Sequence, residues 1–186
     1  MARVNYNVVT HGISGKIGDL LQFRQRNGKT IVAKIAARTG RVTPDQQQVR
    51  EKFRLAAIYA GSALKNPVMR ELYESRATAG QSAYNLAIRD YFNAPLINSV
   101  DLGSYTGEIG SMITVVATDD TRLVDVRVQV FDNTGSLVEA GSAVRVGEQD
   151  SWIYTATVFH NSPAGGKVVV EGQDAPGNIT VQEYLL

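Results

Sequence analysis

The residues that could carry chemistry begin with a glycine run near the N-terminus, Gly12-Ile13-Ser14-Gly15-Lys16-Ile17-Gly18. A phosphate-binding loop needs four residues between its glycines and a Ser or Thr after the lysine. Here only two residues separate Gly12 from Gly15, and Ile17 follows Lys16. The run also lacks the GxGxxG spacing of a dinucleotide site. It therefore predicts a turn, or a close backbone approach between strands.

The usual catalytic residue types are scarce. The chain has no cysteine, which excludes a Cys nucleophile, thiolate metal sites and disulfides. Its two histidines, His11 and His160, lie in different halves of the sequence, and neither is accompanied by a nucleophile and an orienting partner. We therefore expect a protein that is not an enzyme and that uses no cofactor.

Four aspartates of the C-terminal half fall in or beside predicted turns: Asp119, Asp120, Asp132 and Asp174. Oxygen-rich loops at one end of a sandwich can bind calcium, but aspartate is also an ordinary turn residue. No EF-hand spacing is present. The pattern therefore assigns no metal site, and it leaves calcium binding and simple turn formation open.

Basic residues form the strongest chemical feature. They cluster around a predicted hairpin and its exit: Lys16, Arg24, Arg26, Lys29, Lys34, Arg38 and Arg41. Such a patch can hold phosphates, but single-strand binders also use aromatic stacking residues among the basic ones. Phe23 is the only aromatic here, and strand alternation places it on the opposite face from Arg24. We predict a protein-binding patch, with a solvated charged surface as the alternative.

The overall charge hides a division along the chain. With 19 Lys/Arg and 18 Asp/Glu in 186 residues, the formal net charge is +1. Residues 1–95 carry 15 Lys/Arg and 6 Asp/Glu, a net charge of +9, whereas residues 96–186 carry 4 and 12, a net charge of −8. This asymmetry predicts two modules with different partners.

The elements that position the basic cluster are two short strands. Alternation predicts strands over Leu20–Arg26 and Thr30–Ala36, joined by a type I′ turn at Asn27-Gly28, with a third strand over Tyr6–Thr10.

Three helices are predicted next. The first begins at a capping box formed by Thr43 and Gln46, and the second begins at Asn66-Pro67. The third follows Gly80 and ends before the predicted linker Asn93-Ala94-Pro95.

After the linker the hydrophobic period changes to two. Val124, Val126, Val128 and Val130 alternate with polar residues and predict a half-buried strand. Further strands are predicted over Met112–Ala117, Leu137–Ala140, Ala143–Val146, Trp152–Phe159, Lys167–Glu171 and Ile179–Tyr184. About seven short strands at this spacing indicate an immunoglobulin-like sandwich.

Three N-terminal motifs also carry a resemblance: the glycine run, the Arg24-to-Lys34 basic hairpin, and Thr43-Pro44-Asp45-Gln46-Gln47 leading to Arg50 and Phe53. On these motifs the chain, from its N-terminus to about Ala60, resembles a family of uncharacterised proteins found mainly in Bacteroidetes and their phages. Some members resemble virion or secreted structural components, so the resemblance implies an assembly role and transfers no activity.

The C-terminal part separately resembles bacterial Ig-like domains. The resemblance rests on Val124–Val130, on Trp152-Ile153-Tyr154-Thr155-Ala156 and on Asp174-Ala175-Pro176-Gly177-Asn178. It implies a spacer, an adhesion module or a sugar binder, and fold similarity alone does not choose among them.

Together these features predict an α+β protein. Residues 1–93 would form a basic module of a β-hairpin and three helices, and residues 96–186 an acidic Ig-like antiparallel β-sandwich. The leading hypothesis is a structural, self-assembling phage virion component, such as a decoration or adaptor protein. It would dock through its basic module while the sandwich projects outward.

The alternative is a glycan-binding adhesion module on a cell surface or virion, in which Trp152 and Tyr154 would bind the sugar. A nucleic-acid binder using the basic half is the third hypothesis and is disfavoured. Expected partners are other protein subunits, in a homo-oligomer or a larger assembly, with no membrane. The expected location is a virion or an extracellular assembly, for a protein made without a recognisable signal peptide.

Overall fold

A computed structural model describes residues 2–4, 12–26, 28–35, 40, 42–147 and 150–186. The chain divides into two compact units, Met1–Arg50 and Glu51–Leu186. The division falls inside the first helix, and each unit is described separately below. Within the described residues, no helix is long and apolar enough to cross a bilayer.

The first unit contains a four-stranded antiparallel sheet in the order β1-β4-β3-β2. Its strands are β1 (Ala2–Val4), β2 (Gly15–Ile17), β3 (Leu21–Arg26) and β4 (Lys29–Lys34). Arg26 pairs with Lys29 across β3 and β4, which confirms the predicted hairpin. Gly28 has φ +70°, as a type I′ turn requires. Asn27 and the predicted strand Tyr6–Thr10 lie outside the described residues.

The predicted helices are α1 (Pro44–Ala63), α2 (Pro67–Arg76) and α3 (Ala83–Phe92). The capping box is present: the Gln46 backbone N–H donates to Thr43 Oγ1 at 3.3 Å, and the Thr43 N–H donates to Gln46 Oε1 at 3.2 Å. Asn66 caps α2, because its Oδ1 accepts the backbone N–H groups of the first turn. These local bonds explain why the helices begin where the sequence predicts.

Two four-stranded antiparallel sheets form the C-terminal sandwich. One has the order β5-β6-β10-β9 and the other β12-β11-β7-β8. This order matches the ABED and GFC sheets of the immunoglobulin fold, with one added strand next to C. The strands are β5 (Leu96–Asp101), β6 (Met112–Thr118), β7 (Leu123–Phe131), β8 (Leu137–Ser142), β9 (Val144–Arg145), β10 (Ser151–Thr155), β11 (Lys167–Asp174) and β12 (Ile179–Leu185).

The core lies between these two sheets. Its buried side chains come from β6 and β10 on one side and from β7 and β11 on the other. Val126, Val128 and Val130 are fully buried, as are Val168 and Val170. Each such valine contributes roughly 1.5–3 kcal/mol by leaving water.

One part of the predicted alternation is wrong. Val124 is 58% exposed, and Leu123 takes the inward position instead. The register between β7 and β11 shifts at this point, so that Leu123 pairs with Asp174 and Val124 has no partner on β11. A bulge moves the side chains beyond it to the other face. The strand β5 was also not predicted, and β10 ends at Thr155 rather than Phe159.

The predicted linker Asn93-Ala94-Pro95 is a fixed connection inside the second unit. Asn178 Nδ2 donates to the carbonyls of Asp90 and Asn93 at 3.2 and 3.1 Å, and Thr180 Oγ1 donates to the Pro95 carbonyl at 2.6 Å. The segment therefore marks the change from helix to strand, while α2, α3 and the sandwich belong to one compact unit.

Candidate functional site

The described members of the basic cluster are all exposed on the N-terminal sheet: Lys16, Arg24, Arg26, Lys29 and Lys34. Directly paired residues of neighbouring strands share a face of the sheet. Lys16 pairs with Gln22, and Lys29 pairs with Arg26. Because Gln22, Arg24 and Arg26 alternate along β3, they lie on one side. Lys16, Arg24, Arg26 and Lys29 therefore form one cationic surface, which we call the basic face.

The other predicted members do not join the basic face. Lys34 pairs with Leu21, which places it on the opposite face of the sheet. Arg38 and Arg41 lie outside the described residues. Of the seven residues predicted as one patch, four are thus brought together and one is separated from them.

The basic face carries charge that the described part of the chain does not neutralise. None of its four cations forms an ion pair with a described residue. Arg24 Nη2 donates to the neutral Gln22 Oε1 at 2.7 Å. Arg26 and Lys29 stand directly opposite each other in the hairpin, and like charges so placed destabilise a sheet. An anionic partner would relieve that repulsion.

The opposite face of the sheet supplies its small core. Phe23 is 8% exposed and Thr30 3%. Gln25 Nε2 donates to Thr30 Oγ1 at 2.8 Å and to the Ile13 carbonyl at 2.9 Å, which holds the segment before β2 against β3. Phe23 is therefore unavailable for stacking on a nucleobase beside Arg24, in agreement with the predicted alternation.

The glycine run forms a strand and its turns. Gly15–Ile17 is β2, and Gly12 and Gly18 on either side have φ of +79° and +55°. The strand β3 follows the run, whereas a phosphate-binding loop leads into a helix N-terminus. The turn that begins at Gly18, between β2 and β3, confirms the predicted turn, whereas the strand within the run was not predicted.

His160 is buried in the sandwich, and His11 lies outside the described residues. The His160 Nδ1 is 3.2 Å from the Tyr105 hydroxyl, which is itself buried. His160 is therefore an interior side chain of the sandwich, and its Nε2 has no hydrogen-bond partner among the described residues.

Trp152 and Tyr154 both face the core. They are 7% and 4% exposed and pack in the cluster that joins the two sheets. A sugar-binding platform needs an exposed aromatic face, so these two residues do not provide one. The structure therefore does not support Trp152 and Tyr154 as the sugar-binding residues of the glycan hypothesis.

The four aspartates of the predicted loops act as turn residues or ion-pair partners. Asp119 Oδ2 accepts the backbone N–H groups of Thr121 and Arg122. Asp132 Oδ1 accepts three donors within its own turn. Asp174 accepts from Gly177 and from both nitrogens of Asn178, and Asp120 pairs with Arg89 at 2.8 Å. Within the described residues, no group of three acidic or histidine side chains is arranged to hold a metal ion.

A buried carboxylate was missed by the sequence reasoning. Asp90 of α3 is fully buried, and its Oδ2 accepts a 2.7 Å hydrogen bond from the Tyr73 hydroxyl, which is 2.9 Å from the Tyr59 hydroxyl. The pKa of Asp90 is raised to about 6, chiefly by burial and to a lesser extent by the nearby Asp119 carboxylate, against the lowering effect of the Tyr73 hydrogen bond. Its burial could have been predicted from its spacing, because it lies four residues after Leu86 and therefore on the same buried face of α3.

The hydroxyl of Thr121 is close enough to Asp90 to favour its ionised form. Neither Asp90 Oδ1 nor Thr121 Oγ1, however, is within hydrogen-bonding geometry of a described partner. Half of this carboxylate is therefore buried without a donor among the described residues. An unsatisfied buried carboxylate oxygen favours the protonated acid.

Comparison with protein-family models, with curated proteins and with solved structures finds no match for this chain.

Proposed function

We propose that this protein is a non-enzymatic assembly subunit that docks through its basic face onto an acidic protein surface. The observation that carries the proposal is the set of four exposed cations on one face of the N-terminal sheet, none paired with a described carboxylate. Arg26 and Lys29 are held directly opposite each other despite their mutual repulsion. Carboxylates of a partner would attract both side chains and so offset the repulsion between Arg26 and Lys29.

The partner that the chain itself offers is the acidic half of a second copy. Residues 1–95 have a net charge of +9 and residues 96–186 a net charge of −8, so two copies complement each other when unlike halves meet. Such a contact is heterologous, because each copy uses a different surface. Heterologous contacts close into rings or continue as filaments.

The wider setting of the proposal is a virion or an extracellular assembly. It is supported by the resemblance of the N-terminal motifs to a phage-associated family. The Ig-like sandwich supplies a second compact structure that suits a spacer or a decorating module. In this setting the basic face anchors the subunit to its neighbours.

Salt-dependent light scattering of the purified protein tests the proposal. At low ionic strength we expect a mass well above that of the 20.2 kDa chain, falling towards the monomer as salt is added. Screening shortens the range of exposed charge interactions to about 8 Å at physiological salt. A strictly monomeric protein at high concentration and low salt would contradict the proposal.

Two variants of the same sheet give the matched control. Arg24→Gln removes a charge from the basic face, whereas Lys34→Gln removes one from the opposite face. We expect the first variant to weaken association at low salt and the second to leave it near that of the parent protein. Equal loss in both variants would show that net charge, rather than the basic face, drives association.

A further inference from the structure

A small polar cavity in the second unit lies between the end of α2 and the sandwich. Its volume is about 40 Å³, more than the ~10–15 Å³ that one water molecule occupies. Three arginines and two aspartates line it: Arg76 ends α2, Arg122 follows the turn after β6 and Arg145 lies in β9, beside Asp119 and Asp150. The cavity is independent of the basic face, which belongs to the other unit.

Arginine is concentrated at this cavity, although residues 96–186 are acidic overall. Residues 96–186 contain only four Lys/Arg, and two of the four, Arg122 and Arg145, line this one cavity. Arg145 is within 3.5 Å of Asp150, while Arg76 and Arg122 form no ion pair with a described residue. Guanidinium groups are the side chains best suited to bind phosphate or carboxylate oxygens.

Buried hydrogen-bonding groups without partners line the same cavity. The Trp152 side chain is 7% exposed, and its Nε1–H finds no acceptor among the described residues. Thr121 also lines the cavity, but its hydroxyl lies beside Asp90 and makes no demand on a ligand. Buried polar groups in native structures are normally satisfied, so an orphan donor beside a polar cavity indicates a bound group. Indole N–H only donates, so that group must accept a hydrogen bond.

The remaining orphan atom sets a second requirement. Asp119 lines the cavity, and its Oδ1 is buried without a partner, while its Oδ2 is used by backbone N–H groups. A carboxylate oxygen only accepts, so the bound group must also donate a proton to it. A water molecule accepts and donates as well, but the arginines of the wall favour an anion, and an oxyanion that keeps one O–H satisfies both requirements.

We infer that this cavity is a binding site for a protonated phosphate group, either inorganic phosphate or the head of a phosphate ester. Its ionised oxygens accept from the arginines and from Trp152 Nε1, and its P–OH donates to Asp119 Oδ1. Sulfate has the same shape but carries no proton near neutral pH. A site that requires a donor rejects an otherwise identical ligand without one.

Trp152 is the only tryptophan of the chain, so its fluorescence reports directly on the cavity. The protein is titrated at pH 6 with inorganic phosphate, glycerol 3-phosphate or sulfate at constant ionic strength, and calorimetry gives the stoichiometry. About half of a phosphate ester keeps its proton at this pH. We expect a saturable change at one site with phosphate and at least tenfold weaker binding of sulfate. A response to both phosphates assigns an ester head, and a response to the inorganic ion alone assigns free phosphate.

Variants separate the site from general charge effects. Arg122→Gln removes an exposed guanidinium and should weaken phosphate binding about 10- to 100-fold. Asp119→Asn keeps an oxygen for the backbone donors and supplies an N–H in place of the acceptor, so sulfate should then bind at least as well as phosphate. Lys34→Gln removes a cation that belongs neither to the cavity nor to the basic face, so it should leave every titration unchanged. Absence of saturable fluorescence change and heat with either phosphate, or equal binding of sulfate by the parent protein, would overturn the inference.

Discussion

The buried carboxylate of Asp90 gives the sharpest stability prediction. In the folded protein its pKa is raised to about 6 from the ordinary 3.8, first by burial and then by the neighbouring carboxylates of Asp119 and Asp174. Replacement by Asn keeps an oxygen for the Tyr73 hydroxyl and removes the buried charge. The new amide N–H also lies near the Thr121 hydroxyl, which has no described partner.

The magnitude follows from the difference between the two pKa values. One pKa unit corresponds to 1.36 kcal/mol, so ionising Asp90 costs the folded state about 3 kcal/mol. Between about pH 4 and pH 6 the folded state holds a proton that the unfolded state has released, so stability falls as pH rises through this window. Above about pH 6 the loss is complete. Asp90→Asn should therefore stabilise the protein by up to about 3 kcal/mol at pH 8 and have little effect at pH 4.

Urea unfolding followed by Trp152 fluorescence measures this difference, because Trp152 lies in the core of the same unit. The experiment is run at pH 4.5 and pH 8 on the parent protein, on Asp90→Asn and on Glu71→Gln, which removes an exposed carboxylate of α2. The control variant should not change the pH dependence. An Asp90→Asn protein that is less stable at pH 8, or equally shifted at both pH values, would refute the reasoning.

Three further substitutions test local features of the second unit by the same unfolding assay. Gly107→Ala should cost at least about 2 kcal/mol more than Gly110→Ala, because both have positive φ but only the first would press a Cβ onto the His160 carbonyl. Equal costs would show that backbone conformation alone matters. Asn66→Ala should cost about 1 kcal/mol by removing the cap of α2, with an unchanged denaturant slope. Tyr73→Phe removes the donor to the buried carboxylate and should cost about 1–3 kcal/mol, more at pH 8 than at pH 4.5.

Local chemistry explains which elements could be predicted. The capping box of Thr43 and Gln46 and the cap at Asn66 act within one helical turn, so their signals are complete in the sequence. The predicted hairpin is also a local feature: β3 and β4 pair through Arg26 and Lys29, and Gly28 between them has positive φ. By contrast, Val124 follows the alternating pattern but faces outward, because a bulge set by pairing with β11 shifts the register.

The candidate site shows the same limit. Alternation along one strand places Arg24 and Arg26 on one face, and this needs no knowledge of other strands. Lys16 and Lys34 come from neighbouring strands, so only the pairing register shows that the first joins the basic face and the second does not. The arginines of the cavity are farther apart still in sequence, and only the packing of α2 beside the sandwich brings Arg76 near Arg122.

The central claim, that the basic face contacts a neighbouring subunit, is tested most directly by site-specific photocrosslinking. A photoreactive amino acid at Gln22 lies on the basic face between the cations without removing any of them, and the same probe at Lys34 lies on the opposite face. At low salt we predict crosslinks from position 22 to peptides of residues 96–186 of a second copy, and few from position 34. No intermolecular crosslink from position 22, or equal crosslinking from both positions, would contradict the claim.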